Sequence, residues 1–140
     1  MRIFTLIAFL ALAYVAEAFE VSSRLLDAME LVESNGNPTA VGDNGRAIGC
    51  LQLHKCYVDE ASRLGGTKYS YNDRLDRTLS RRMAAAYLRH WGTIYERETG
   101  KPATDEVLAK IHNGHTWWRK GGNVQANVCS YWLKVKARLR

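Results

Sequence analysis

Apolar positions recur three and four residues apart along most of this chain, the spacing of helices with one face turned inward. Leu25, Leu26, Met29 and Val32 fall in one sector at about 100° per residue. They predict a helix over 22–34, with Ser22 or Ser23 as N-cap. Asn35 and Gly36 can take the left-handed turn that ends it, and Pro38 prevents continuation. Residues 41–48 then read as a small hairpin, because Asn44-Gly45 between short flanks is a type I′ turn signature. Helical spacing returns over 50–64 through Leu51, His54, Val58 and Ala61, and stops at Gly65-Gly66. A polar, turn-rich stretch over 68–77 precedes the longest helix, 78–99, built on Leu79, Met83, Ala86, Tyr87, Trp91, Ile94 and Tyr95. Gly100 and Pro102 end that helix. Thr104 caps a short one carrying Val107, Leu108 and Ile111. A glycine-bearing loop over 113–123 leads to a last helix at 131–139. The fold class predicted is α+β and mostly α, with helices around a cleft and one small β-hairpin.

The N-terminus breaks this pattern. Arg2 precedes an almost unbroken apolar run over 3–15, and Ala16-Glu17-Ala18 has the form of an A-x-A cleavage site. Residues 1–18 are therefore expected to be a signal peptide, leaving a domain at 19–140 that is secreted or periplasmic; an uncleaved signal anchor is the competing reading. The run is short for a bilayer span and no second one follows, so no stable membrane insertion is expected after cleavage. A chain of this size builds one core, and a monomer is expected.

Charge narrows the partners. The formal net charge is +6, and cleavage would remove one charge of each sign. A basic exported domain suits an anionic polymer such as the bacterial cell wall. No basic helix or nucleic-acid motif is present, so nucleic acid is not expected as a partner. Three cysteines, Cys50, Cys56 and Cys129, are too few for a disulfide scaffold. One disulfide plus one free thiol is possible: Cys50 and Cys56, about 240° apart on one helix, cannot easily pair with each other, and Cys56 with Cys129 is the preferred of the pairings that stay open. No Cys/His spacing suggests a metal, and no cofactor is expected.

Glu33 carries the chemistry. It falls in the sector of Leu25, Leu26, Met29 and Val32, whereas Asp27 points toward water. Burial and the negative end of the helix dipole should both raise the pKa of a carboxyl placed there, as a general acid needs. The plainer reading is a last exposed residue before the chain turns. Asp43, on the shoulder of the hairpin turn, can supply a second carboxylate for glycosidic bond cleavage, and Asp before Asn-Gly is equally what turn chemistry favours. Gln52, after Gly49, can hydrogen-bond sugar hydroxyl or acetamido groups, or be a solvated helix-start residue.

Together these residues carry a resemblance. The stretch VESNGNPTAVGDNGRAIGCLQL resembles the Glu-Ser to Gly-x-x-Gln motif of the soluble lytic transglycosylase family. It is also similar to phage and bacterial lysozyme-like proteins and, more loosely, to invertebrate-type lysozymes. Lys110-Ile111-His112-Asn113-Gly114 resembles their Ile-His-Asn-Gly-Gly-Pro or Tyr-Asn-Ala-Gly block, and Tyr131-Trp132-Leu133-Lys134-Val135 their closing Tyr-Trp-x-Lys-Val. The resemblance implies a lysozyme-like fold and cleavage of the β-1,4 bond between N-acetylmuramic acid and N-acetylglucosamine in peptidoglycan glycan strands. It implies Glu33 as the catalytic acid, Ser34 as a residue holding the acid or a sugar, Gln52 and Asn113 as cleft residues, and Tyr131 as the tyrosine near the acid.

The chain departs from the family where Gly-Gly-Pro gives way to Gly114-His115-Thr116-Trp117-Trp118. Trp117 can stack on a sugar face or anchor the loop. Two mechanisms fit the acid. In a hydrolase, Asp43 assists Glu33 and water completes the reaction; in a transglycosylase, Glu33 works alone and the sugar's own 6-hydroxyl attacks. A module that binds peptidoglycan without cutting it is the alternative from another class, and Glu33 on an apolar face argues against it.

Overall fold

Both ends of the first helix, α1 (Ser23–Ser34), stand where the sequence puts them. The Ser22 hydroxyl accepts from the Leu25 amide at 3.1 Å, and Asn35 closes the helix at φ 54°. The computed structural model describes residues 19–139, so the expected signal peptide at 1–18 lies outside the described residues. Leu25, Leu26, Ala28 and Met29 are buried as the stripe predicts, and so is Glu30. The long helix α3 (Arg77–Thr99) begins at Asp76, whose carboxylate accepts from the Leu79 amide, and ends at Gly100. Thr104 caps α4 (Asp105–Gly114).

Three elements differ from expectation. In the hairpin, β1 (Val41–Gly42) pairs antiparallel with β2 (Ala47–Ile48), and Gly42 opposite Ala47 leaves residues 43–46 as the loop. This is not a two-residue type I′ turn: Asp43, Asn44 and Gly45 are successively left-handed at φ 47°, 53° and 87°. Arg46 returns both its amide and its guanidinium to Asp43. The helix expected from residue 50 starts later, as α2 (Lys55–Gly65). Gln52 at φ 49° and an antiparallel bridge between Ile48 and Leu53 hold the preceding residues in a tight turn instead. The last helix, α5 (Asn123–Lys136), begins well before Tyr131, with Val128 fully buried in its first half.

The expected Cys56–Cys129 disulfide is absent. All three thiols are free, Cys50 buried and the other two exposed. With no disulfide among the described residues, cohesion comes from the core. Leu25, Met29, Leu51, Leu53, Met83, Leu88, Leu108 and Ile111 are each at most 2% exposed, and each such side chain contributes about 1.5–3 kcal/mol on burial. Helix α2 packs on α3, α4 on α5, and α1 on α5 and α4, and the Ser34 hydroxyl ties the end of α1 to the Cys50 carbonyl just after the hairpin.

Gly49 fastens the hairpin to this helical body. It sits at φ 85°, and a Cβ built on it would stand 1.9 Å from the Arg74 carbonyl oxygen. Gly49→Ala is expected to cost about 2–3 kcal/mol through forced strain. A urea midpoint equal to that of the parent protein would contradict this packing.

Candidate active site

A groove of about 910 Å³ runs between the hairpin side and α4–α5, with Glu33, Asp43, Gln52, His54, Tyr57, His112, Asn113, His115 and Tyr131 among its lining residues. It is larger than the clefts beside Arg77 and Arg81 and beside Leu31 and Lys134, and falls in the range of ligand-binding clefts. The last turn of α1 brings Glu33 to it with the side chain 19% exposed. From α4, His112 places Nε2 at 3.3 Å from Glu33 Oε1, and the His112 side chain is only 5% exposed. Its other nitrogen, Nδ1, lies 3.2 Å from the Tyr57 hydroxyl. Tyr57 in turn stacks on Tyr87, with ring centroids 3.7 Å apart.

This setting corrects the expected acid. Burial does push the Glu33 carboxyl up, but His112 by hydrogen bond and charge, the Tyr131 hydroxyl, and the charge of His54 together outweigh it. Glu33 is held below the usual carboxylate value. The helix face foretold the burial; the opposing groups arrive from α4, α5 and the turn before α2. The Tyr131 hydroxyl is near enough to favour the ionised carboxylate, yet it makes no hydrogen bond of good geometry. It is buried, and its own pKa is far raised by burial and by the Glu33 charge.

Asp43 is 39% exposed, and both of its oxygens are engaged. Arg46 bonds Oδ1 at 2.6 Å, and His54 Nε2 lies 3.2 Å from Oδ2. Gln52 lines the groove, but its amide group donates to the carbonyls of Ala40 and Gly49. Its Oε1 lies where a Gly42 side chain would be, so Gly42 makes room for it. Asn113 lines the groove beside His112. Two other expected residues sit elsewhere. The Ser34 hydroxyl donates to the Cys50 carbonyl at 2.8 Å, tying the helix end to the turn. Trp117 is half-buried away from the groove lining, stacked on Tyr95 at 6.1 Å with the Lys110 ammonium 5.0 Å from its ring centre.

Three of the four histidines face this one groove. In the sequence His54 falls on an expected helix face, and no spacing joins positions 54, 112 and 115. Among the described residues no three His, Cys, Asp or Glu side chains converge to hold a metal ion.

Helices gathered about a groove, one small hairpin and a half-buried acid at the end of the first helix define a lysozyme-like arrangement. A family model described as the Transglycosylase SLT domain matches residues 11–109, and the chain belongs to this family. It is accordingly an enzyme of lytic-transglycosylase type, acting on glycosidic bonds of peptidoglycan. The match includes Glu33, Ser34, Asp43 and Gln52 and ends before His112, Asn113 and Tyr131. No curated protein and no solved structure matched the chain.

Proposed function

We propose that the domain cleaves the β-1,4 bond between N-acetylmuramic acid and N-acetylglucosamine, with Glu33 as general acid and then base. The observation that carries this reading is the Glu33 carboxyl at the groove with His112 Nε2 3.3 Å from one of its oxygens. With His112 Nε2 facing Oε1, the carboxyl proton belongs on the other oxygen. That proton passes to the leaving glycosidic oxygen as the C1–O bond breaks. The 6-hydroxyl oxygen of the muramic acid attacks C1, its proton returns to Glu33, and a 1,6-anhydro end forms without consuming water. Asn113, Gln52 and the groove-lining edge of Tyr131 are proposed to contact the strand, with the buried Tyr131 hydroxyl kept beside the acid. Ser34 supports the acid by fixing the end of α1.

The geometry favours this route over hydrolysis with Asp43 as nucleophile. Arg46 and His54 occupy both Asp43 oxygens, which lowers their nucleophilicity and suits Asp43 better to electrostatic support. Mass spectrometry of digested cell walls is expected to show anhydromuropeptides. Reducing muramic acid ends alone would assign a hydrolase, and an intact wall would leave a binding module. Residues 1–18 are proposed as a cleavable leader that delivers a monomeric 19–140 domain to the wall. No helix of the described residues is long and apolar enough to cross a membrane.

A further inference from the structure

His115 has a backbone that its side chain opposes. It follows α4 at φ 51° and ψ −116°, a conformation that glycine adopts freely and a residue with a Cβ resists. Such strain persists only where the surroundings over-determine it. Here they fix the ring: Nδ1 is hydrogen-bonded to the Tyr87 hydroxyl, and the ring meets Trp91 edge-on with centroids 4.2 Å apart. Burial raises the Tyr87 phenol, so it keeps its proton and donates it to Nδ1. Burial, with Lys120 and Arg119 adding to it against the opposing Glu60, lowers His115, so the ring is neutral and its proton rests on Nε2. That nitrogen has no protein partner among the described residues and is not among the buried, unsatisfied atoms. The side chain lines the groove that holds Glu33.

We propose that His115 is a substrate-contacting residue whose Nε2–H donates to an uncharged acceptor oxygen of the glycan, either a sugar hydroxyl or an acetamido carbonyl. This rests on the reading of the groove as a glycan site. An immobile, neutral donor favours such an oxygen over a carboxylate, which would draw on the charge of a lysine or arginine instead. The strained backbone is what aims it. Glycine at this position would relax the chain and remove the contact, so stability and binding should move in opposite directions.

The test is calorimetric binding of purified peptidoglycan glycan strands to the uncleaving Glu33→Gln protein, with and without His115→Gly. His115→Gly is expected to bind about tenfold more weakly while its melting temperature is unchanged or higher. His115→Gln, which keeps a side-chain N–H donor on the same strained backbone, is expected to recover part of the loss, and Tyr87→Phe, which frees Nδ1, to weaken binding about threefold. A loss that disappears on de-N-acetylated strands identifies the carbonyl as acceptor; an equal loss on both identifies a hydroxyl. Unchanged affinity on both kinds of strand overturns the proposal. If Glu33→Gln alone binds no strands, the glycan reading fails; if it binds them and the His115 substitutions change nothing, His115 alone is wrongly assigned.

Discussion

Glu33→Gln is expected to leave peptidoglycan bound and uncut. Glutamine keeps the shape of the side chain and can still accept from His112 Nε2, but it has no proton to give. Loss of a general acid costs about 10²–10⁴ in rate, so clearing of a cell-wall suspension should fall by at least about 10² while sedimentation with the wall persists. Equal clearing by both proteins would remove Glu33 from the chemistry. The pH profile carries the sign of its environment. His112, Tyr131 and His54 hold the carboxyl below its usual value against the upward push of burial. The protonated fraction of the free enzyme therefore falls tenfold per pH unit above that lowered pKa, and kcat/KM should rise as pH falls toward it. His112→Gln removes the neighbour that lowers Glu33 most and leaves burial in place, so the falling limb should move to higher pH. A limb that stays put would show that His112 does not set the acid.

Removing both Arg77 and Arg81 is expected to have the largest effect on stability. Glu30, with its side chain 3% exposed, accepts from Arg77 at 2.8 Å and from Arg81 at 2.9 Å. The Cys50 thiol, whose pKa is pushed up by burial and then by the Glu30 charge, lies 3.6 Å from Oε1 as a weak donor. Replacing both arginines by methionine strands a buried carboxylate, and breaking such a cluster costs about 3–5 kcal/mol. Adding Glu30→Met should return most of that loss, since an apolar side chain of similar volume needs no partner. Urea denaturation at neutral pH reads both steps; equal stability of the double and triple variants would show that the charge is not what the arginines stabilise.

Glu30 also shows what the sequence conceals. Around α1 the apolar stripe was legible, as were Ser22, Asn35, Thr104 and Gly100 at helix ends, because caps and stripes are written within a few residues of each other. Glu30 lies at the edge of that stripe and reads as solvent-facing until Arg77 and Arg81 are brought against it from α3. Its distance along the chain from those partners removes any local trace. The same holds for the acid: Glu33 was visible on its helix face, but the direction of its pKa depends on His112 and Tyr131. The late start of α2 had a different cause. Leu51 and Leu53 are both buried, in a turn held by Gln52 at φ 49°, and the run from Cys50 to Ala61 mimics helical spacing across two distinct elements. In α5, Asn123, Gln125 and Asn127 diluted the apolar period, so only the half from Tyr131 was recognisable.

Arg74 bears on the chemistry from outside the groove. It is 6% exposed, and its guanidinium donates to three carbonyls: Tyr71 at 2.7 Å, Arg46 at 3.1 Å and Leu53 at 2.9 Å. Arg46 closes the loop that presents Asp43, and Leu53 ends the turn that presents Gln52 and leads to His54. One buried cation therefore acts as the strut of the hairpin lip, while Glu33 and His112 belong to the helical wall opposite. The separation of Asp43 from Glu33 across the groove is thus a dimension of the scaffold. It is set at a residue that meets no sugar, and it can be tuned there without altering either acid.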